Sequence, residues 1–257
     1  MKKVMLLLVC GVLSMASAQA NTIIAPQPQA KMDGENKTVA LYGNSYMHYN
    51  NHLNTRLRDL SRSLLADRAK DYMYRGITIS SGRLGWHVPN LSFQNSLQKW
   101  DIVVLQGNST ESISAKEETR KYFTDSARLM ADTAHQAGSK VLYFMTWANK
   151  DKPEQTDKLA KAYMDIATQT GGYVAPVGLA FSRAIVTHPE IDLYHSDGNH
   201  PSLAGTYLAA CVLFATIYDQ SPVGGALPVD SDMTEQTARA LQQVAWDTVT
   251  QFRKQEK

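Results

Sequence analysis

Short apolar runs rich in β-branched residues alternate with longer segments of helical period along this chain, and this alternation constrains the fold more than any other feature. The runs are TVALYG at 38–43, ITISSG at 77–82, DIVVLQG at 101–107, VLYFMTW at 141–147 and GYVAPVG at 172–178. Strands that alternate with helices pair in parallel, because each crossover returns the chain to the same edge of the sheet. The sequence therefore predicts an α/β fold with a central parallel sheet of about five strands.

Amphipathic segments between and after these runs predict the helices that cover the sheet. Apolar residues recur every three or four positions in 53–64, 115–136 and 233–252, which places one apolar stripe on each helix. A further apolar helix is expected from Pro201, whereas a loop is expected after the run at 77–82. The chain contains no internal repeat, so residues 37–257 are predicted to form a single domain.

The first 20 residues are typical of a cleaved secretory signal. Lys2 and Lys3 precede a short apolar run, and the segment ends in the small-x-small sequence of 18–20. That run is shorter than the roughly 20 apolar residues that span a bilayer, and no later segment reaches this length. We therefore expect export to the periplasm or the medium without stable insertion into a membrane. A lipid anchor on Cys10 is disfavoured because the bulky Val9 precedes it.

Residues 21–36 are rich in Pro, Gln, Ala and Asn and show no periodicity, which predicts a flexible lead-in to the domain. The chain has 26 Lys and Arg residues against 24 Asp and Glu, and removal of Lys2 and Lys3 with the signal leaves 24 of each. A neutral mature chain argues against nucleic-acid binding. Only Cys211 then remains, so no internal disulfide can form.

Polar residues follow the strands at the edge where ligands bind in parallel α/β sheets. Ser45 lies just after the first strand, at the start of a helix whose dipole favours negative charge. A nucleophilic serine needs a base, and Asp197 and His200 are separated by two residues in a turn that can present an imidazole held by a carboxylate. Asn108, after the third strand, can donate its amide to an oxyanion.

These four places resemble the motif blocks of the SGNH or GDSL hydrolases between about Thr38 and Tyr218. The similar segments are GNSY at 43–46, ISSG at 79–82, GNS at 107–109 and DGNH at 197–200. The resemblance implies a flavodoxin-like three-layer α/β/α fold. It also implies a serine esterase in which Ser45, His200 and Asp197 form the triad and the Ser45 and Gly82 N–H groups and the Asn108 amide form the oxyanion hole.

Two blocks depart from the usual pattern of that family. Asn44 and Tyr46 stand where Asp and Leu are usual, and Ser109 stands where many members carry Asp. These positions supply no triad atom, so they bear on loop support and substrate choice, and activity itself has to be measured.

The resemblance and the predicted export indicate a small-molecule or glycan acyl ester as substrate, with a short acyl group such as acetyl. We expect four residues near the motifs to bind this substrate, namely Tyr46, Arg83, Trp86 and Trp147. The same triad would also serve an O-acyltransferase. A non-catalytic carbohydrate-binding module with the three aromatic residues as stacking faces is a third hypothesis. The oligomeric state is not predicted.

Metal binding by His195, Asp197 and His200 is a further alternative, because these ligand types lie close together in the sequence. The chain has no HExxH helix and no cysteine cluster, however. We therefore predict no metal site and no cofactor.

Overall fold

Five parallel strands form the centre of the part of the chain that this computed structural model describes, which comprises residues 30–229 and 231–254. In chain order they are β1 (Thr38–Gly43), β2 (Met73–Thr78), β3 (Ile102–Leu105), β4 (Lys140–Phe144) and β5 (Tyr173–Ala175). Their order across the sheet is β2-β1-β3-β4-β5, and all neighbouring pairs are parallel. This is the flavodoxin-like order, and the predicted α/β class is confirmed.

Helices cover both faces of the sheet, which gives three layers. They are α1 (Ser45–His48), α2 (Leu53–Leu65), α3 (Val88–Leu97), α4 (Glu117–Gln136), α5 (Thr156–Thr170), α6 (Val177–Thr187), α7 (Leu203–Tyr218) and α8 (Glu235–Arg253). Side chains alternate between the two faces along a strand. Val39 and Leu41 of β1 therefore join the core formed with α2, α6, α7 and α8, while Ala40 and Tyr42 join the core formed with α3, α4 and α5.

Helix α7 is buried almost along its whole length, because α2, α6 and α8 surround it. Its sequence LAGTYLAACVLFATIY is apolar on every side, as expected for a helix inside a core. The Ser202 hydroxyl caps its first turn by accepting a hydrogen bond from the Gly205 N–H at 3.2 Å. This cap, two residues after His200, fixes the start of α7 at Leu203.

The second strand differs from its prediction. It covers Met73–Thr78, whereas the prediction was 77–82. β2 is an edge strand that pairs with β1 alone and is only partly buried. Its sequence MYRGIT therefore lacks the continuous apolar character of a central strand. Residues 79–82 form a tight turn in which the Gly82 N–H donates to the Ile79 carbonyl at 2.8 Å.

The prediction of a loop after the second strand is also wrong, because a 3-10 helix (Leu84–His87) and α3 occupy this segment. Only Leu91 of α3 is buried, so the segment carries almost no amphipathic signal. Pro89 in the first turn of α3 is a common helix start, since its missing N–H has no partner there in any case.

Residues 30–36 form no helix or strand, yet they contact the domain. Met32 and Asn36 are buried, and the Asn36 amide donates to the Ile217 carbonyl at 3.3 Å. Lys31 also forms an ion pair with Asp219 at the end of α7. This part of the predicted lead-in is therefore attached to the core, while the predicted signal at 1–20 lies outside the described residues. Within the described ranges, no helix combines the length and apolarity needed to cross a membrane.

Candidate active site

Ser45 lies at the carboxyl edge of the sheet, directly after β1. It starts helix α1, and the preceding Asn44 caps this helix because its Oδ1 accepts a hydrogen bond from the Tyr46 N–H at 3.1 Å. The strand order reverses between β1 and β3, and this crevice is where ligands bind in such sheets. The Ser45 N–H lies in the first helical turn, where N–H groups have no intrahelical acceptor.

Asp197 and His200 are held together in a turn immediately before α7. Asp197 Oδ1 accepts hydrogen bonds from the N–H groups of Asn199 and His200, both at 2.9 Å, and its Oδ2 accepts one from His200 Nδ1 at 2.6 Å. These bonds, with the His200 side chain first and the Asn199 N–H next, hold the pKa of Asp197 well below its usual range. The carboxylate is therefore ionised at neutral pH and acts only as an acceptor.

The His200 imidazole joins this turn to Ser45. Because the ionised Asp197 fixes the ring proton on Nδ1, Nε2 of the neutral ring is an acceptor. The Ser45 hydroxyl lies 2.9 Å from Nε2 and donates to it. The three residues named from the sequence thus form one hydrogen-bonded chain, although the two loops are 155 residues apart.

Two tyrosines from the segment after Ser45 contact the His200 ring. Tyr49 stacks on it, with centroids 4.4 Å apart and an interplanar angle of 16°. Tyr46 approaches it edge-on, with centroids 5.8 Å apart. Asn50 donates to the Pro201 carbonyl at 3.0 Å. The segment that follows the serine therefore also supports the loop that carries the histidine.

A buried amide pair supports the turn that carries Ser45. Gln106, at the end of β3, donates to Asn44 Oδ1 at 2.9 Å and accepts from the Asn44 N–H at 3.2 Å. The glycine at 43 is required here, since a Cβ on it would collide with the Gln106 side chain. Asn44 Nδ2 in turn donates to the Gly82 carbonyl at 3.2 Å. The sequence analysis missed Gln106, whose only signal is a polar residue between an apolar strand and the GNS motif.

Two of the three expected oxyanion donors, the Gly82 N–H and the Asn108 amide, are engaged with the protein itself. The Gly82 N–H donates within the 79–82 turn, so it is not the free donor that the sequence led us to expect. Ser81 has a positive φ of 54° in this turn. Asn108 Nδ2 donates to the Ser81 carbonyl at 2.9 Å and to the Gly82 carbonyl at 3.4 Å. Any carbonyl oxygen of a substrate would therefore compete with these two acceptors for the Asn108 amide.

Glu111 is a buried carboxyl beneath Asn108 that the sequence analysis did not identify. Its Oε2 accepts a hydrogen bond from the Asn108 N–H at 3.0 Å, and the Arg83 guanidinium lies 4.0 Å from its Oε1. Burial raises the pKa of Glu111, against the opposing effect of backbone hydrogen bonds from Asn108 and Leu84. This carboxyl therefore ties the loop of Asn108 to the loop of Arg83. Its signal in the sequence is only an acidic residue three positions after Asn108.

Of the residues expected to bind substrate, two are exposed and two are buried. The Arg83 side chain is 45% exposed and Trp86 is 50% exposed. Tyr46 and Trp147 are only 2% and 1% exposed, because Tyr46 stacks on Trp147 and Trp147 stacks on Phe181. Tyr46 and Trp147 therefore offer no open face to a sugar ring, which corrects the role expected from the sequence.

Polar clefts border the site on two sides. One of about 170 Å³ is lined by Arg83, Asn108 and Glu111 among others. A second of about 530 Å³ lies against the outer side of the Asp197 turn and includes Lys150. His195 borders this turn, with Nδ1 4.0 Å from Asp197 Oδ2. Across residues 30–229 and 231–254, no three His, Cys, Asp or Glu side chains are grouped so that they could hold a metal ion.

Solved structures resemble this chain, whereas no protein-family model and no curated protein matches it. A protein from Slackia heliotrinireducens, provisionally described as an SGNH hydrolase, has a TM-score of 0.59 and 24% identity over 71% of this chain and 99% of its own. A variant of an acetyl xylan esterase from Geobacillus stearothermophilus has a TM-score of 0.58 and 14% identity over 72% and 96%. The chain has the SGNH hydrolase fold.

A DUF4886 family protein from Bacteroides uniformis extends the likeness, with a TM-score of 0.63 and 16% identity over 84% of this chain and 95% of its own. Within the SGNH fold, the four motif blocks occupy the turns after β1, β2 and β3 and the turn before α7. The structure brings the side chains of Ser45, Asp197 and His200 together. The Asn108 amide is tied to the turn that contains Gly82.

Proposed function

We propose that this chain is a serine esterase that hydrolyses short-chain acyl esters, with Ser45 as nucleophile, His200 as general base and Asp197 as the partner of the base. The observation that carries the proposal is the continuous hydrogen-bonded chain from Asp197 through His200 to Ser45. It lies at the edge of the SGNH fold where parallel α/β proteins bind ligands. The buried support of Asn44 by Gln106 is consistent with a turn that must hold its geometry.

Acylation begins when Ser45 Oγ attacks the carbonyl carbon of the ester and its proton passes to His200 Nε2. Asp197 stabilises the resulting imidazolium through the bond to Nδ1. When the tetrahedral intermediate collapses, the alcohol leaves with the proton from Nε2 and an acyl group remains on Ser45. Water then attacks this acyl ester with His200 again as base, which releases the carboxylic acid and restores the hydroxyl of Ser45.

The oxyanion is stabilised by the Ser45 N–H and the Asn108 amide. The amide nitrogen has two N–H donors. An oxyanion competes well for them, because hydrogen bonds to charged acceptors are stronger than the present bonds to the neutral carbonyls of Ser81 and Gly82. Gly82 then contributes mainly through its carbonyl, which accepts hydrogen bonds from the amides of Asn44 and Asn108.

O-acetylated carbohydrates are the first substrates to test. The clefts beside the triad are polar, and one similar structure is described as an acetyl xylan esterase. Arg83 and Trp86 are the exposed residues from which contacts to the alcohol part of the ester are expected.

The deciding experiment compares the parent chain with Ser45→Ala on p-nitrophenyl acetate and on acetylated oligosaccharides, with release of free acetate as readout. Loss of the nucleophile should abolish both hydrolysis and labelling by a fluorophosphonate probe. Ser92→Ala is the matched control, because Ser92 is an exposed serine on α3 whose removal should leave both rates unchanged. Parent-like hydrolysis by Ser45→Ala would refute the proposal.

We also propose that the chain is exported, which rests on the sequence of residues 1–20. Expression of the full chain followed by N-terminal sequencing of the periplasmic and medium fractions should yield a mature chain that starts at Asn21. A mature chain that keeps Met1 and stays in the cytoplasm would contradict export, and a lipid-modified Cys10 as first residue would establish the alternative.

A further inference from the structure

The hydroxyl of Tyr46 lies where three loops of the site meet. It donates a hydrogen bond to Asn199 Oδ1, and the Ser109 side chain lies near enough to affect its pKa. Tyr46 follows the proposed nucleophile in the chain, Ser109 follows the proposed oxyanion donor, and Asn199 precedes the proposed base. The hydrogen bond to Asn199 therefore connects the residue after the nucleophile with the residue before the base, two groups that must meet at a single carbonyl carbon.

The ring that carries this hydroxyl is fixed by packing. Tyr46 stacks on Trp147, with centroids 4.3 Å apart and planes 10° from parallel, and Trp147 stacks on Phe181 at 4.2 Å. Trp147 Nε1 also donates to the Asn199 carbonyl at 3.0 Å. The stacked pair thus binds Asn199 twice, through its side chain and through its main chain. This fixes the residue directly before His200.

The hydroxyl remains a donor over the working range of an esterase. Burial raises the pKa of Tyr46 to about 12, an effect that the nearby Ser109 side chain opposes and the charge of Asp197 reinforces. A neutral phenol can donate to the Asn199 amide oxygen, which has no proton to give in return. The bond therefore does not change between about pH 5 and pH 9, well below this pKa.

We propose that Tyr46 is a positioning residue that holds the Asp197–His200 turn in register with Ser45. This inference rests on the proposed function and adds to it a residue outside the triad and the oxyanion donors. The edge-on contact between the Tyr46 ring and His200 agrees with such a role. Displacement of a catalytic group by about 1 Å can lower a rate by about 100-fold, so a hydrogen bond that sets its position acts mainly on kcat.

Tyr46→Phe isolates this contribution, because it keeps the stacked ring and removes only the hydroxyl. We expect kcat for p-nitrophenyl acetate to fall by about 10- to 100-fold, with KM changed by less than about threefold. Fluorophosphonate labelling of Ser45 should slow by a similar factor. The ¹⁵N chemical shifts of the His200 imidazole should also differ from those in the parent chain, because the surroundings of the ring change.

Two further variants separate positioning from packing. Tyr143→Phe removes another buried hydroxyl, which lies 3.0 Å from Thr170 Oγ1 and 3.4 Å from the Ala127 carbonyl. Tyr143 belongs to the core on the other face of the sheet from Tyr46. Tyr143→Phe should lower thermal stability and leave kcat unchanged. Asn199→Ala removes the partner of Tyr46, so the double variant should be no slower than the slower single variant, as expected when two residues act through one bond.

The inference is overturned if Tyr46→Phe keeps kcat within twofold of the parent, or if it loses stability as Tyr143→Phe does while the His200 chemical shifts stay unchanged. It is also overturned if the effects of Tyr46→Phe and Asn199→Ala multiply in the double variant. If the parent chain shows no hydrolysis that depends on Ser45, the proposed function fails separately. The His200 chemical shifts then decide the positioning role, since they need no turnover.

Discussion

Substitution of Asn44 by Asp introduces the residue that is usual in the SGNH motif that 43–46 resembles, and we expect it to harm this chain. Asn44 is buried, and its side chain makes three hydrogen bonds. Its Oδ1 accepts from the Tyr46 N–H and from Gln106 Nε2, and its Nδ2 donates to the Gly82 carbonyl at 3.2 Å. A carboxylate keeps both accepting bonds but cannot donate, so a charged oxygen would face the Gly82 carbonyl oxygen.

The size of the effect follows from this one lost bond. The Gly82 carbonyl keeps its longer bond from Asn108, but the buried carboxylate oxygen that replaces the Asn44 amide would have no donor. A buried acceptor without a donor costs about 1–3 kcal/mol, and one pKa unit corresponds to about 1.4 kcal/mol. The introduced carboxyl should therefore have a folded-state pKa roughly one to two units above its unfolded value of about 3.9, because only the protonated form can donate to Gly82. When the pKa of a group is higher in the folded state, its contribution to stability is fully present below the unfolded-state pKa. This contribution is lost as the pH rises through the folded-state pKa.

Urea unfolding followed by tryptophan fluorescence at pH 4 and pH 8 tests this reasoning. Asn44→Asp should be close to the parent chain at pH 4 and about 1–3 kcal/mol less stable at pH 8. Asn44→Ala is the control, since it removes all three bonds and should be destabilised equally at both pH values. Equal stability of Asn44→Asp and the parent at pH 8, or a larger deficit at pH 4, would refute the account of the Asn44–Gly82 bond.

Two further predictions concern the loop after β3. Asn108→Ala should lower kcat for p-nitrophenyl acetate by about 10²- to 10³-fold, the usual effect of one oxyanion donor, while the unfolding midpoint stays near that of the parent; a loss below threefold would remove Asn108 from the oxyanion hole. Glu111→Gln should flatten the pH dependence of the free energy of unfolding. Burial raises the pKa of Glu111 in the folded chain, so the stability linked to its protonated form is present at low pH and lost as the pH rises. In urea unfolding, the stability of the parent relative to this variant should therefore decrease from pH 4 to pH 8, and a constant or increasing difference would contradict the assignment.

The central sheet could be predicted from the sequence because its signal is local. Strands β1, β3 and β4 are buried on both faces, and such strands have continuous apolar sequences whatever surrounds them. The edge strand β2 pairs on one side only, so MYRGIT carries polar residues and its start was misplaced by four residues. Helix α3 buries only Leu91, and its weak pattern was taken for a loop.

The candidate site could be predicted only in part. Ser45, Asp197, His200 and Asn108 stand at strand and helix ends, where the order of the elements decides which loops meet. Contacts between side chains depend instead on tertiary packing, which the spacing of residues along the sequence does not predict. Loop aromatics are often at the surface, yet Trp147 is buried because it fits between Tyr46 and Phe181.

The departures from the usual SGNH pattern are connected in space. Tyr46 and Ser109 lie close together, since the Ser109 side chain affects the pKa of the Tyr46 hydroxyl. A leucine at 46 would leave Asn199 Oδ1 without the phenol donor, whereas an aspartate at 109 would put a charge near a buried phenol. On the other side of the same turn, the Asn44 amide donates a hydrogen bond to the Gly82 carbonyl. Asn44 and Tyr46 therefore contribute neutral hydrogen bonds on either side of Ser45, and none of the three departures removes an atom of the triad.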